Sequence, residues 1–282
     1  MALTQTRMKW WRRHHPVLCR KVVNILAFWP DEKVLLMEGR RGERLGRYLV
    51  NGFTLAPAPR SASALDRYST GLGEWLRAFA GGHPRYGADI EPLLGLQAQR
   101  RDDGQLTVNA RCLLEKRIER GRRAAHALSR EGLTSAHSWA DRFDLDAITA
   151  AFGDHEPAGF IHGDVKPDNV LIRDGDLTVI DWWTTPRVSW SLADVASFAG
   201  NLWLYGKCPA ADRVWRCFAQ AYYQGGLDDR TRQAVDLVAT IMCLTVAAEN
   251  TRQWSLSRLV VRRWCQRFAR RLLTTASPVA RV

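Results

Sequence analysis

The order of apolar and polar positions predicts a short strand-forming part followed by a longer helical part. Two apolar runs between Val22 and Glu38 flank a turn at Pro30-Asp31-Glu32, and this pattern predicts a β-hairpin. Residues 39–48 are rich in glycine and charge, which favours a hinge between two parts of the chain. The hairpin and the hinge therefore precede a larger part that begins near residue 49.

Helical spacing of apolar residues dominates this larger part. Ser63 and Asp66 resemble a capping box, and the apolar positions that follow predict a core-facing helix that Gly81 and Gly82 close. Three further helices are expected, namely a strongly basic one in Ala110 to Leu133, an apolar and buried one in Arg230 to Asn250, and an amphipathic one around Val260 to Leu272.

One segment, from Phe160 to Asp181, interrupts the helical pattern. A polar loop is followed by the apolar run Asn169 to Ile172, an Asp174-Gly175 pair and a second apolar run. An Asp-Gly pair between two apolar runs is a strong signal for a tight hairpin turn. The segment is therefore predicted to be a β-hairpin that is preceded by an exposed, polar loop.

Together these elements predict an α+β fold with unequal parts. Residues 1–38 are expected to form a reduced, strand-containing N-terminal lobe, residues 39–48 a hinge, and residues 49–282 a mainly helical lobe that carries the loop and the hairpin.

Composition adds a strong positive charge to this picture. The 282 residues carry a formal net charge of +12, with an ordinary 46% of hydrophobic residues. Such a charge can attract nucleic acid or an anionic membrane, it can suit an anionic substrate, or it can simply solvate helices. Because the basic residues are spread over several segments, solvation is favoured and no dedicated nucleic-acid site is predicted.

The sequence shows neither a membrane span nor a secretion signal. No apolar run reaches the roughly 18 residues of a membrane-spanning helix. The basic, tryptophan-rich N-terminus also lacks the apolar core of a signal peptide. The six cysteines lack the paired spacing of a zinc site. A cytoplasmic protein without a transmembrane segment is therefore expected.

The polar residues of the interrupting segment have the types and spacing that phosphoryl transfer needs. This reaction requires a carboxylate that orients an incoming hydroxyl and accepts its proton, together with oxygen ligands for Mg2+. Asp164 and Asn169 are separated by four residues, as in the H-R-D-x-x-x-x-N pattern of kinases. The predicted hairpin folds the chain back, so Asp181 is expected to arrive beside Asn169.

The same motif resembles a known family. HGD at residues 162–164, P-x-N at residues 167–169 and I-D-W at residues 180–182 resemble the aminoglycoside phosphotransferase and choline kinase superfamily, whose fold is protein-kinase-like. Protein kinases have an arginine in place of the glycine and D-F-G in place of D-W-W, which favours the small-molecule branch. The resemblance implies a kinase that uses ATP as co-substrate and Mg2+ as cofactor.

By this resemblance each polar residue of the motif has a role. Asp164 is implied as the catalytic base, and Asn169 and Asp181 as the ligands of Mg2+. Lys166 stands where protein kinases place a lysine near the transferred phosphate, so it is either catalytic or a surface charge. His162 is expected to brace the loop from behind.

Two further parts of the chain are assigned by the resemblance. The run from Val34 to Gly39 resembles the strand and hinge that line an adenine pocket, so backbone groups of Met37, Glu38 and Gly39 are expected to bind the base of the nucleotide. Asp194 resembles a family aspartate that hydrogen-bonds the loops of the site, and it is interpreted as structural support.

The phosphate-binding parts of such kinases are not found in the sequence. No G-x-G-x-x-G motif precedes Glu38, and Thr6 to Lys21 contains no glutamate. Lys9 is the one lysine with a suitable position, and its surroundings do not resemble the expected strand. Residues 1–38 are therefore interpreted as a remnant of a nucleotide lobe. Three explanations stay open: a chain that lacks its N-terminal part, a different mode of phosphate binding, or a pseudokinase.

The function predicted from the sequence is ATP-dependent transfer of phosphate to a small molecule such as an aminoglycoside, a choline-like amine or a sugar. The positive charge makes a polycationic aminoglycoside a less suitable acceptor, and a sugar fits the charge at least as well. The alternatives are an inactive, kinase-like scaffold and a protein that binds nucleic acid or membrane through its basic helices. Trp182, Trp183 and Trp190 are interpreted either as an aromatic wall for the acceptor or as core residues.

Overall fold

The fold consists of helices and small antiparallel sheets. The computed structural model describes residues 12–13, 16–23, 25–29, 34–50, 62–81, 98–101, 105–130, 155–181, 187–203, 209–224, 226 and 228–251. Its helices are α1 (Pro16–Cys19), α2 (Leu45–Val50), α3 (Ala62–Ala80), α4 (Ala110–Arg130), α5 (Ala193–Trp203), α6 (Pro209–Tyr223) and α7 (Asp229–Thr251). Its strands are β1 (Ile25–Trp29), β2 (Val34–Met37), β3 (Glu43–Arg44), β4 (Ala98–Arg100), β5 (Leu106–Asn109), β6 (His155–Ile161), β7 (Val170–Arg173), β8 (Asp176–Val179) and β9 (Arg187–Trp190).

The chain forms two compact units that are each built from several stretches of sequence. The first unit comprises Met1–Thr107, Pro157–Asp194 and Lys207–Gly226. The second comprises Val108–Glu156, Val195–Gly206 and Leu227–Val282. No helix in the described part of the chain is both long and apolar enough to span a membrane. The mixture of helices with small sheets confirms the predicted α+β class.

Strands β1 and β2 form the hairpin that the first apolar runs predict. They pair antiparallel, with Ile25 opposite Met37 and Trp29 opposite Val34. The predicted turn at residues 30–32 lies outside the described residues. Leu26, Trp29 and Leu36 are exposed, so this sheet presents apolar side chains to solvent.

Strands β7 and β8 form the second predicted hairpin, which lies in the middle of a small sheet in the first unit. Their turn is tight, since Asp174 and Gly175 have φ angles of 49° and 90°. On one side β3 pairs antiparallel with β7. On the other side Val22 forms a parallel bridge with Val179, and the backbone N–H of Val179 donates to the carbonyl of Lys21 at 2.7 Å. Both outer edges of the hairpin are therefore paired.

The strand that leads into the polar loop belongs to a four-stranded sheet of order β4-β5-β6-β9. Strands β6 and β9 pair antiparallel, with Ala158 opposite Trp190 and Ile161 opposite Arg187. Gly159 of β6 is in close contact, because a Cβ there would lie 2.6 Å from the carbonyl oxygen of Ala80. Strand β6 therefore rests directly on the C-terminal end of α3.

Helix α3 is the core-facing helix that the apolar spacing predicts, and it packs against α6. The rings of Trp75 and Phe79 stack at 5.2 Å, and Phe79 lies 5.9 Å from the ring of Phe160. The predicted capping box is wrong. Ser63 lies inside the helix, and the Asp66 carboxylate instead accepts two hydrogen bonds of 2.6 Å from Arg213 of α6.

In the second unit α4 packs against α7, and both helices agree with the sequence prediction. Helix α7 also lies close to α5, because a Cβ at Gly200 would lie 2.8 Å from the carbonyl oxygen of Ala239. The thiol of Cys243 donates to the carbonyl of Gly200 at 2.7 Å. The amphipathic helix predicted around residues 260–272 lies outside the described residues.

Candidate active site

The polar loop between β6 and β7 carries most of the residues that the sequence singled out. It starts after Ile161 and ends in a single 3-10 turn, Pro167–Asn169, whose proline pre-sets the backbone of the turn. Gly163 has a φ angle of 93°, a conformation that is unfavourable for residues with a Cβ. A glycine at this position therefore lets the chain turn sharply just before Asp164.

The Asp164 carboxylate is the centre of a compact hydrogen-bonded group. Its Oδ2 atom accepts from Lys166 Nζ at 2.6 Å and from Asn169 Nδ2 at 2.9 Å. Asn169 Nδ2 also donates to the backbone carbonyl of Asp164 at 2.9 Å. The side chain of Asp164 is 45% exposed, so the carboxylate is fixed in orientation and still accessible to a substrate.

These contacts define how the Asn169 amide is turned. An asparagine amide has one donor nitrogen and one acceptor oxygen. Since Nδ2 makes both hydrogen bonds to Asp164, Oδ1 points away from it. An oxygen is thereby left for a hard cation, and the backbone around it is held by a hydrogen bond from the N–H of Asn169 to the carbonyl of Lys166 at 2.9 Å.

Asp181 follows the second strand of the β7–β8 hairpin. The N–H of Ile180 donates to the carbonyl of Asn169 at 2.9 Å, so the residue before Asp181 is bonded directly to Asn169. Asp181 has a φ angle of 68°, in the left-handed region, which costs roughly 1–2 kcal/mol for a residue with a Cβ. Strained backbone of this kind is concentrated at functional sites.

The side chains of Asn169 and Asp181 fit the requirements of Mg2+. This ion prefers hard oxygen ligands and is usually held in proteins by one or two carboxylates, with waters and substrate phosphates. Asn169 has an amide oxygen and Asp181 has carboxylate oxygens, and the backbone hydrogen bond from Ile180 to Asn169 joins the two segments that carry them.

His162 lies behind the loop, buried and in a defined tautomer. Its Nδ1 atom accepts from the N–H of Asp164 at 3.2 Å, so the proton is on Nε2, which donates to the carbonyl of Ile180 at 3.1 Å. Burial lowers the pKa of His162 to about 4, although the Asp164 charge and the Ile180 bond act in the opposite direction. A neutral imidazole therefore links the loop to the strand end that precedes Asp181.

Asp194 holds the same loop from the first turn of α5. Its two carboxylate oxygens accept from the backbone N–H groups of His162 at 2.6 Å and of Gly163 at 2.8 Å. The residue is 1% exposed. A buried carboxylate is stabilised at this place by the two donors and by the positive end of the helix dipole.

The nucleotide residues predicted by resemblance lie in the same unit but in another element. Met37 ends β2, Glu38 is half-buried and accepts from Arg40 at 3.1 Å, and Gly39 is exposed. The structure therefore brings Asp164, Lys166 and Asn169 into direct contact, and it places Met37, Glu38 and Gly39 separately at the end of the first hairpin.

Trp190 is one of the three tryptophans predicted to form either an aromatic wall or part of the core, and it is fully buried on β9, which supports the core interpretation for this residue. Trp182 and Trp183 lie outside the described residues. The sequence did not indicate the Ile180 carbonyl as the partner of His162, and no local pattern predicts a contact across 18 positions.

Comparison with known proteins gives a match to one family. A model described as "Phosphotransferase enzyme family" matches residues 8–232 of the chain. Among the curated proteins, none matches the chain.

Several solved kinase structures share the fold. An amicoumacin kinase in complex with AMP-PNP and Ca2+ aligns with a TM-score of 0.57 and 11% identity, over 100% of this chain and 81% of that chain. A spectinomycin phosphotransferase in complex with ADP and spectinomycin gives 0.56 and 10%, over 100% and 83%. A choline/ethanolamine kinase family protein from Mesorhizobium loti gives 0.52 and 15%, over 96% and 81%. These similarities confirm the protein-kinase-like fold.

Proposed function

Because the chain belongs to the phosphotransferase enzyme family, we propose that it is a kinase that transfers the γ-phosphate of ATP to a hydroxyl group of a small molecule. The observation that carries this proposal is the oriented but accessible Asp164 carboxylate, which shares Oδ2 with Lys166 and Asn169. Phosphoryl transfer depends mainly on positioning and on charge, and this group supplies both.

In the proposed reaction Asp164 orients the acceptor hydroxyl and receives its proton. The hydroxyl oxygen forms a bond to the γ-phosphorus while the bond from that phosphorus to the bridging oxygen breaks, and ADP leaves with the electron pair. Lys166 lies 2.6 Å from the base and brings a positive charge to the side of the loop where the phosphoryl group would pass. Asp164 and Lys166 are thus the proposed catalytic residues.

We assign the other site residues to support and to binding. Asn169 and Asp181 would hold Mg2+, which neutralises phosphate charge when it is bound. His162 and Asp194 keep the loop in place through the hydrogen bonds to Ile180 and to the loop amides. The backbone of residues 37–39 would bind the base of ATP. These residues lie at the end of β2, and the chain then continues into β3, which pairs with β7.

The names of the structural relatives suggest the acceptor class. They are an amicoumacin kinase, a spectinomycin phosphotransferase and a choline/ethanolamine kinase family protein, and these names point to small-molecule acceptors. A chain with a net charge of +12 repels a polycation at long range, so we favour a neutral or weakly charged acceptor such as a sugar. We place this activity in the cytoplasm, where ATP is available.

An inactive, kinase-like binding protein is the second candidate. The observation in its favour is that no G-x-G-x-x-G motif precedes Glu38 in the sequence. Removal of a phosphate clamp takes away electrostatic stabilisation of the transition state, which is often worth several kcal/mol. This candidate predicts that Asp164 can be replaced without any effect on the biological role.

The experiment that tests the proposal measures transfer of labelled γ-phosphate with Mg2+ and a panel of sugars, amino alcohols and aminoglycosides. Asp164→Asn is compared with Asp176→Asn as the matched control. Asp176 lies on the same hairpin, is exposed and pairs with Lys21 at 2.7 Å, outside the Asp164 group. We expect transfer by the wild type and by Asp176→Asn, and a loss of at least about 100-fold for Asp164→Asn.

Equal transfer by the two variants would contradict the role of Asp164. If none of the three proteins transfers phosphate although the folded wild type is present at high concentration, the inactive binding protein becomes the better explanation. Calorimetric titration with ATP and Mg2+ then decides whether the chain still binds nucleotide.

A further inference from the structure

Tyr222 of α6 contacts the segment that leads into Asp194. The residue is 8% exposed, and its hydroxyl donates to the carbonyl of Ser191 at 3.3 Å. Ser191 lies in the turn just before α5, whose first turn contains Asp194. The N–H of Ser191 donates in addition to the carbonyl of Pro157 at 3.0 Å, so this turn is held from two sides.

A glycine on α3 allows Tyr222 to reach this turn. Helices α3 and α6 approach closely at Gly73, where a Cβ would collide with the carbonyl oxygen of Phe218 and would lie 3.2 Å from the backbone nitrogen of Tyr222. The ring of Phe218 stacks on Tyr222 at 6.1 Å. Packing therefore holds the backbone and the ring of Tyr222 independently of the hydrogen bond that its hydroxyl makes.

The electrostatics of Tyr222 point to the same neighbourhood. Burial raises the pKa of its hydroxyl, and the negative charge of Asp194 raises the pKa further, whereas Arg77 acts in the opposite direction. The hydroxyl is thus protonated at every relevant pH and acts as a stable donor near the buried carboxylate.

We infer that Tyr222 is a positioning residue for the catalytic loop, which acts by fixing the start of α5 and thereby the Asp194 carboxylate that holds the loop amides. The connection runs from Tyr222 through Ser191 to Asp194, and from Asp194 to the N–H groups of His162 and Gly163. The next residue along the chain is Asp164. This inference rests on the proposed kinase function for its effect on catalysis.

The hydroxyl matters more than the ring in this arrangement. Phenylalanine would fill nearly the same volume, so packing against Phe218 is retained when only the oxygen is removed. The Ser191 carbonyl would then lose a donor, and the turn would be held by its bond to Pro157 alone among these contacts. A small shift of Asp194 is enough to disturb catalysis, since placement errors of about 1 Å can cost roughly 100-fold in rate.

The test compares Tyr222→Phe with Tyr68→Phe. Tyr68 is also a buried tyrosine of the first unit, and its hydroxyl accepts from the N–H of Gly175 at 3.1 Å, at the far turn of the hairpin. Each variant loses one buried hydroxyl and its hydrogen bond. We expect Tyr222→Phe to lower kcat about 5- to 10-fold with KM for ATP and acceptor unchanged within about twofold, and Tyr68→Phe to leave kcat unchanged.

A second measurement does not depend on activity. Hydrogen exchange of the His162 and Gly163 amides reports whether Asp194 still holds them. We expect exchange at these two amides to become about fivefold faster in Tyr222→Phe, and to stay at the wild-type rate in Tyr68→Phe. Exchange that is unchanged in Tyr222→Phe, or kcat that falls equally in both variants, would overturn the inference. A wild type without transfer activity would overturn the proposed function alone, because the exchange result still decides the positioning role.

Discussion

At the scale of single residues, the backbone of Asp181 is the least favourable part of the site. Its φ angle of 68° is common for glycine and uncommon for residues with a Cβ, although aspartate tolerates it better than most. The strain persists because the hairpin and the Ile180 bond to Asn169 fix the chain on its N-terminal side. Function and stability therefore favour different residues at position 181.

We predict that Asp181→Gly is more stable than Asp181→Ala by about 1 kcal/mol, because glycine removes the steric cost of the left-handed conformation. Both variants should lose Mg2+-dependent transfer, since both lack the carboxylate. Chemical unfolding of the two proteins measures the difference. If alanine proves equally stable, the strain assigned to this position is absent.

A second prediction at this scale concerns the pH dependence of stability through His162. The pKa of His162 in the folded protein is about 4, whereas the pKa of an exposed histidine is about 6.5. Between these pH values the unfolded chain binds a proton at His162 and the folded chain does not, so acid favours unfolding. The stabilisation is complete above pH 6.5 and is lost as the pH falls to about 4, and it amounts to a few kcal/mol at most, since one pKa unit corresponds to about 1.4 kcal/mol.

Asp236 of α7 changes the pH dependence of the unfolding free energy in the opposite direction. Burial raises its pKa to about 6, so the folded chain retains a proton that the unfolded chain loses, and its stabilisation disappears as the pH rises through 6. The measurement is therefore the difference between the wild type and His162→Gln in the unfolding free energy from pH 7 to pH 4, in which the Asp236 contribution cancels. A constant difference over this range would contradict the buried, neutral state of His162.

Local spacing was sufficient to predict part of the site. Asp164 and Asn169 meet because a loop with a 3-10 turn brings residues five positions apart together. The contacts that hold the loop in place could not be predicted in this way. His162 and Ile180 are 18 positions apart, and Tyr222 and Ser191 are 31 positions apart, so both pairs depend on how whole elements pack.

At the scale of elements, α3 contains two glycines that the packing treats differently. A Cβ at Gly71 would be in ordinary contact with Leu177 at 3.5 Å. A Cβ at Gly73 would collide with the backbone of α6 and would lie 3.0 Å from the Cβ of Ala221. Replacement of glycine by alanine is therefore expected to have opposite effects on stability at positions 71 and 73.

We predict that Gly71→Ala stabilises the protein by about 0.5–1 kcal/mol, because alanine is the better helix former and space for it exists. Gly73→Ala should destabilise the protein by about 1–3 kcal/mol, because α3 and α6 must separate. Thermal and chemical unfolding of the two variants provide the measurement. A Gly73→Ala variant as stable as the wild type would contradict the close approach of α3 and α6 at this position.

Periodicity predicted the long elements and missed the short ones. Helices α3, α4 and α7 follow from apolar positions repeated over many residues, whereas both hairpins follow from pairs of apolar runs on either side of turn residues. Strand β3 has two residues, and the bridge at Val22 has one, so neither contains a repeat that a pattern could reveal. The hinge predicted for residues 39–48 includes β3 and the start of α2, and its role as a hinge stays a prediction.

At the scale of the whole molecule, charge should govern how fast anionic nucleotide arrives. With a net charge of +12, the protein attracts ATP bound to Mg2+ at long range, and added salt screens this attraction. We predict that kcat/KM for the nucleotide falls several-fold between about 20 and 200 mM KCl, while kcat changes little. Steady-state kinetics at a series of salt concentrations measure this, and a flat kcat/KM would mean that the positive charge lies far from the site.

The paired edges of the β7–β8 hairpin also bear on how this protein can evolve. The chain leaves the small sheet after Val22 and returns to it at Glu43, so the residues between them form a connection whose two ends are both paired with this sheet. The entropic cost of closing such a connection grows only slowly with its length. Changes in the length of this segment outside residues 37–39 should therefore cost little in the pairing of the β7–β8 hairpin, and they are compatible with the geometry of Asp164 and Asp181.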